Sequence, residues 1–361
     1  VLIDFHHYLE DPVNVRHLKE IALDNHNNHL SNVLLSHGLD LPDDLSRFSA
    51  SFELSLPDQD KLRALIREEA KVWNLRHPNE MVKGDNRTLD RFIHNLTGLT
   101  ESDSRRLIRN AIYDDGAITD SDIPEVASAK YELLGQDGVL TFEYDTASFS
   151  EVGGFSSLKR WLDIRKQYVT SNDQVLDRPK GILLLGVQGG GKSLAAKAVA
   201  GAWGLPLLRF DFGALYNKFY GETEKNIRES LKAAQVMAPC VLWMDEIEKG
   251  IATGDYDSGT SRRVLATLLT WMAENKEPVF IVATANDIQA LPPELVRKGR
   301  FDEIFFVDLP SLSVRKEIFA IHLHKRSVPA DGIDLDQLAE LSEGFSGAEI
   351  EQAVVAAMYT A

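Results

Sequence analysis

Residues 181–200, GILLLGVQGGGKSLAAKAVA, constrain this chain more than any other stretch. Residues 182–185 are four consecutive apolar residues and predict a buried strand; residues 194–200 are alanine-rich with apolar positions at helical spacing. Between them Gly186, Val187, Gln188, Gly189, Gly190, Gly191, Lys192 and Ser193 fill the pattern G-x-x-x-x-G-K-[ST]. The glycines let backbone N–H groups turn inward around a phosphate, and the helix that follows adds positive charge at its N-terminus. Lys192 has the reach for β and γ phosphates, and the Ser193 hydroxyl can ligate Mg²⁺. A glycine-rich turn in an ordinary α/β domain lacks this strand-loop-helix frame. The expectation is a nucleotide held by Gly189, Gly190, Gly191, Lys192, Ser193 and Leu194.

A second apolar run, residues 241–244, delivers Asp245 and Glu246 at its end. In an open parallel sheet, the carboxyl ends of strands border the ligand crevice. Phosphoryl chemistry there asks for one carboxylate near the metal and another to take a proton from water. Asp245 suits the first role and Glu246 the second. An exposed strand end is the plainer reading of such a pair, and its position behind a phosphate loop argues against it. Residues 280–283 predict a further buried strand with Asn286 just beyond. An amide there can orient the attacking water or touch the γ phosphate; otherwise Asn286 is a turn asparagine.

The formal charge of −16 disfavours nucleic acid or an anionic membrane as the main partner. The single cysteine, Cys240, forms no intramolecular disulfide, reads as a small core residue, and suits a reducing compartment. No apolar run approaches membrane-spanning length and no leader is evident. Val1 is not a methionine and a helical pattern reaches Ala361, so further sequence is expected at both ends.

The amino-terminal part repeats the order of the carboxy-terminal part weakly. An apolar strand ending at Asp4, a helix near residues 15–23, a run at 33–35, a strand at 52–56 and a helix from Lys61 parallel residues 241–314. Leu96-Thr97-Gly98-Leu99-Thr100 echoes Glu343-Gly344-Phe345-Ser346, each ahead of a helix. This predicts two copies of one α/β-plus-lid unit, the first without visible chemistry because Phe5 stands where the second has Glu246. Chance similarity of two α/β segments is the alternative. The expected divisions are 1–145, 146–310 and 311–361. His6, His7, His26, His29 and His37 invite a metal reading, but neighbours on a strand face opposite ways, so no metal site is expected in the first copy.

Taken together these motifs resemble the AAA family of ATPases within the AAA+ class: GVQGGGKS as Walker A, VLWMDE as Walker B, Asn286 as sensor 1, and SGTSRRVLATLLTWMAE through VRKGRFDEIFFVDLP as the second region of homology. The wording is similar to the cyanobacterial and chloroplast "hypothetical chloroplast reading frame forty-six" subfamily. The resemblance covers residues 149–361. It implies a parallel α/β P-loop module with a helical lid, preceded by a degenerate AAA-like domain, and it implies ATP, ADP and Mg²⁺ as ligands. Arg297 and Arg300 stand where the family has arginine fingers that reach a neighbouring subunit. Gly153 resembles the segment lining adenine, and His322 the lid histidine near base and ribose, with His324 its competitor. Gly347 and Ala348 occupy the sensor-2 region and resemble the protein-remodelling branch. Phe219 and Tyr220 fall at pore loop 1; a core aromatic pair is the plainer alternative. Val187, Gln188 and Gly190 depart from the usual loop, at positions that supply backbone.

The expected activity is Mg²⁺-dependent ATP hydrolysis by a homo-oligomeric ring, a hexamer by resemblance, that remodels or threads a protein partner in the cytoplasm or plastid stroma. An ATP-gated assembly switch or scaffold, and a nucleic-acid motor, are the alternatives.

Overall fold

Residues 1–55 and 56–361 form two separate units, so the helices expected to complete an amino-terminal domain share a unit with the phosphate loop. The computed structural model describes residues 1–28, 32–36, 41–52, 56–78, 80–133, 139–144, 146–169, 177–217, 223–251, 258–329 and 332–360.

In the first unit, β1 (Leu2–Ile3) and α1 (Pro12–Asn28) lead to β2 (Leu34–Leu35), which pairs with β1 in parallel, and α2 (Asp43–Ser46) follows. Leu9, Leu18 and Leu45 form its small core. The opening strand is shorter than expected. Asp4 turns into the left-handed region (φ 54°) and starts a 3₁₀ turn, Phe5–Tyr8. His6 and His7 are therefore not opposite-facing strand neighbours: their ring centroids lie 3.8 Å apart, and His6 Nδ1 meets Ser36 Oγ at 2.7 Å. Among the described residues no group of three or more His, Cys, Asp or Glu could hold a metal ion. The strand expected at 52–56 falls largely outside the described residues.

The second unit opens with four helices, α3 (Gln59–Arg76), α4 (Asn86–Leu96), α5 (Glu101–Asp115) and α6 (Asp122–Leu133). Leu62, Leu65, Phe92, Ile93 and Ile108 fill the space between them. Glu69, buried among apolar side chains, is matched by Arg105 and Arg109 at 3.0 Å, which meets the need to pair a buried charge.

The chain then builds a six-stranded sheet. In chain order come β3 (Leu140–Glu143), α7 (Ser156–Val169), β4 (Gly181–Gly186), α8 (Lys192–Trp203), β5 (Leu207–Phe210), α9 (Phe212–Asn217), α10 (Thr223–Val236), β6 (Cys240–Met244), α11 (Ile247–Ile251), α12 (Ser258–Glu274), β7 (Val279–Ala285) and β8 (Glu303–Val307). The strand order is β3-β5-β6-β7-β4-β8, parallel except for β3, which runs against β5 at one edge. Every residue of β4, β6 and β7 is buried. Their side chains alternate between two apolar layers: Leu183, Leu242 and Ile281 on one face, Ile182, Val241 and Phe280 on the other. That is why these strands read as continuous apolar runs, each fully buried large side chain contributing about 1.5–3 kcal/mol. Cys240, fully buried, opens β6.

Three helices, α13 (Leu312–Lys325), α14 (Leu335–Leu341) and α15 (Gly347–Thr360), complete the chain around Phe319, Leu323, Ile350 and Val354. No helix among the described residues is long and apolar enough to cross a membrane.

Candidate active site

Parallel register gathers the chemistry. Leu185 of β4 lies opposite Ala285 of β7, and Met244 of β6 opposite Ala283. The phosphate loop after β4, the acidic pair after β6 and Asn286 after β7 therefore emerge side by side. Two glycines of the loop are needed for close approach. A Cβ on Gly186 would stand 1.9 Å from the Val307 carbonyl oxygen of β8. Gly189 is in the left-handed region (φ 78°), and a Cβ there would press on Ser346 Oγ at 2.9 Å, at the start of α15.

Lys192, in the first turn of α8, is buried. Its Nζ donates to the carbonyl oxygens of Gly186 and Val187 at 2.7 Å and to Asn286 Oδ1 at 2.9 Å. Burial pulls its pKa below the usual lysine value, against the attraction of Glu248, Asp245 and Glu246. Ser193 Oγ lies 3.4 Å from Asp245 Oδ1.

Asn286 is the hub of the acids. Its Nδ2 donates to Glu246 Oε1 and to Glu248 Oε1, both at 3.0 Å, and its backbone N–H donates to Glu248 Oε1 at 2.9 Å. With Oδ1 accepting from Lys192, the side chain spans cation and carboxylates, so the turn-asparagine alternative does not describe it. Glu246 sits at φ 48° with its N–H on Thr284 Oγ1 at 2.9 Å, and its Oε2 is paired with Lys249. The Lys249 hydrogen bond is the main influence holding the Glu246 carboxyl below its ordinary range, with partial burial opposing and Asn286 helping.

Four contributors carried no sequence signal. Thr284, fully buried, donates to Asp245 Oδ1 at 2.7 Å and so orients both acids. Glu248 Oε2 is buried and has no hydrogen-bond partner among the described residues. Arg209 of β5 places Nη2 3.5 Å from Asp245 Oδ2, its guanidinium over the Trp243 ring. Lys249 is the fourth. Only the three-residue offset between Glu246 and Lys249, which suits a helical turn, could have been noticed beforehand.

Lys192, Ser193, Asp245, Glu246, Thr284 and Asn286 border a cavity of about 700 Å³. All six expected loop residues, Gly189, Gly190, Gly191, Lys192, Ser193 and Leu194, line it, as do Asp245, Glu246, Asn286, Gly153, His322, Gly347 and Ala348. His324 does not and is exposed, so of the two histidines His322 is the one at this cavity. His322 lies beside Glu351 and Arg326, and burial lowers its pKa. Apolar walls come from Phe155, Val314, Ile318 and Ile321. The last three had the spacing of lid core, which hid their second role. Gly154 N–H donates to Glu317 Oε2 of α13 at 2.9 Å, and a Cβ on Gly153 would stand 2.7 Å from Ile318 Cγ1. Gly153 and Gly154 are thus in direct contact with α13.

Arg297 and Arg300 do not line the cavity. Arg297 is exposed, and Arg300, half-buried, donates to the Leu269 carbonyl of α12. Phe219 and Tyr220 lie outside the described residues.

Comparison with known proteins agrees with this geometry. Residues 182–309 match the model of the ATPase family associated with various cellular activities (AAA), residues 332–361 the AAA+ lid domain, and residues 60–137 the second domain of SpoVK-like AAA ATPases. The AAA domain-containing protein ycf46 of Gracilaria tenuistipitata var. liui is 39% identical over 368 residues, spanning all of this chain and 73% of that protein. Its counterpart from Trieres chinensis is 37% identical over 366 residues, spanning all of this chain and 72% of that protein. A proteasome-activating nucleotidase of Aeropyrum pernix is 42% identical over 193 residues, 52% of this chain and 47% of that protein.

Proposed function

This chain belongs to the AAA ATPase family, alongside the ycf46 proteins, and from that premise we propose that it hydrolyses ATP with Mg²⁺ as a homo-oligomeric ring and uses the energy to remodel or thread a protein. One observation carries the chemical half: Asn286 bridges Lys192 to Glu246 inside a cavity lined by phosphate-loop residues Gln188 to Ser193. The Ser193 hydroxyl and the Asp245 carboxylate, 3.4 Å apart, are hard oxygen donors of the kind magnesium takes, and they would hold it. The bound ion would neutralise charge on the phosphate oxygens.

Lys192 exchanges its carbonyl partners for β and γ phosphate oxygens when the nucleotide enters. Asn286 orients a water for in-line attack on the γ phosphorus. The bond from that phosphorus to the β–γ bridging oxygen breaks, ADP leaves, and the water proton passes to Glu246. Arg297 and Arg300, one exposed and the other near the surface, are read as fingers that complete a neighbouring subunit's site and stabilise charge in the transition state. Because α13 touches Gly153 and Gly154 while α15 touches Gly189, loss of the γ phosphate is expected to shift the lid and so do work. Similarity to a proteasome-activating nucleotidase supports a protein as the object of that work, as does the acidic balance of the chain. Cytoplasm or plastid stroma is the proposed compartment.

Glu246→Gln tests the chemistry: it should still bind ATP, while phosphate release falls about 10²–10⁴-fold. Turnover near the wild-type rate would remove Glu246 as base. Light scattering of this variant with ATP should report a ring, and a monomer would refute the shared site. Phe219→Ala should keep ATP hydrolysis but lose unfolding of a protein substrate; unfolding that survives would leave an assembly switch as the better reading.

A further inference from the structure

Both carboxylate oxygens of Glu246 accept a hydrogen bond. Oε1 accepts from Asn286 Nδ2, the amide that also holds Glu248. Oε2 accepts from Lys249, so an amide holds the carboxylate on one side and a cation on the other. The pairing is built into the backbone. Glu246 adopts a left-handed φ of 48°, unusual for a side chain of its size, with its N–H fixed to Thr284 Oγ1. A turn closed by Lys249 N–H on the Glu246 carbonyl at 2.8 Å then sets the two side chains together. A carboxylate tied to an ammonium group has one lone pair fewer to offer water and is held where the cation places it.

We propose that Lys249 is a positioning residue that restrains the general base: it holds Oε2 of Glu246 out of use, and hydrolysis proceeds only when it lets go. The proposal rests on the reading of Glu246 as base. The Lys249 side chain is 68% exposed and does not line the cavity, so it has no contact with the nucleotide and is open to displacement from outside. An exposed ion pair is weak, which bounds the restraint to a few-fold in rate and makes it releasable.

The experiment is steady-state hydrolysis of MgATP by the full chain as Lys249→Ala, Lys249→Gln and Lys249→Arg, with a fluorescent ATP analogue to measure affinity. Lys249→Ala and Lys249→Gln should raise kcat about two- to fivefold while KM and analogue affinity stay put, and Lys249→Arg should behave like the wild type. In the Glu246→Gln background, Lys249→Ala should bring no acceleration. An unchanged or lower kcat in both neutral variants, or a rise that persists without Glu246, overturns the restraint. Near-normal turnover by Glu246→Gln alone overturns instead the reading of the base, so the two failures are told apart.

Discussion

The helices α3–α6 and α13–α15 share one local device and put it to opposite uses. Gly98 (φ 89°) stands two residues before Thr100, which accepts from Asp103 N–H at 3.2 Å and donates to its carboxylate at 2.7 Å. Gly344 (φ 80°) stands two residues before Ser346, which accepts from Glu349 N–H at 3.3 Å and donates to its carboxylate at 2.8 Å. Both are left-handed glycines feeding a hydroxyl-capped helix. The surroundings differ. A Cβ on Gly98 would stand 2.7 Å from Val236 Cγ1 of α10, whereas among the described residues nothing lies within 4 Å of one on Gly344. The first bundle is closed against the sheet module, with Arg91 donating to the Gly204 carbonyl at 3.2 Å. The second borders the 700 Å³ cavity through Gly347 and Ala348. One cap geometry thus serves a packed joint in one place and the border of a cavity in the other.

The largest effect should come from the two buried lysines that accompany these bundles. Lys192→Ala should lower ATP affinity by about 100-fold or more in a titration, because a charge-assisted contact to phosphate is lost. Lys130→Met should leave that affinity alone, since Lys130, fully buried in α6, serves the Thr97 carbonyl at 2.5 Å. Comparable loss in both would erase the distinction between ligand and packing lysines.

Next comes pH. Burial pushes the Lys130 pKa down to about 8 from 10.5, with Cys240 a lesser, opposing influence. The unfolded chain then binds more protons than the folded one between those values, so this group's contribution to stability rises as pH climbs from 8 to 10.5 and is at its most unfavourable below 8. Thermal melts should show the wild type gaining about 3 kcal/mol relative to Lys130→Met across that window. Parallel curves would place Lys130 in contact with water.

Smallest is the glycine pair. Gly344→Ala should cost about 1 kcal/mol for the left-handed backbone alone. Gly98→Ala should add about 1–3 kcal/mol of overpacking against Val236. Equal costs in denaturant unfolding would mean that the first bundle is not closed on α10.

Much of this was legible in the chain. The phosphate loop, the acidic pair and Asn286 are local patterns attached to apolar runs, and a run apolar at every position is what a strand buried on both faces must be. The lid cavity was legible only in part. Gly153, Gly347 and Ala348 came through family resemblance, while nothing marks Val314, Ile318 and Ile321, because a lining residue and a core residue share one helical period. Histidines at 6 and 7 misled: they read as strand neighbours facing opposite ways, whereas a left-handed Asp4 leads them into a 3₁₀ turn.

The sequence by itself therefore determined the nucleotide-binding frame and the identity of the acids, since both rest on residues within a few positions of one another and on the burial of whole strands. Only the tertiary structure decided what those acids touch. Thr284, Arg209, Glu248 and Lys249 act on Asp245, Glu246 and Asn286 through a side-by-side strand register and a left-handed turn, which link residues up to 40 positions apart and leave no period in the chain.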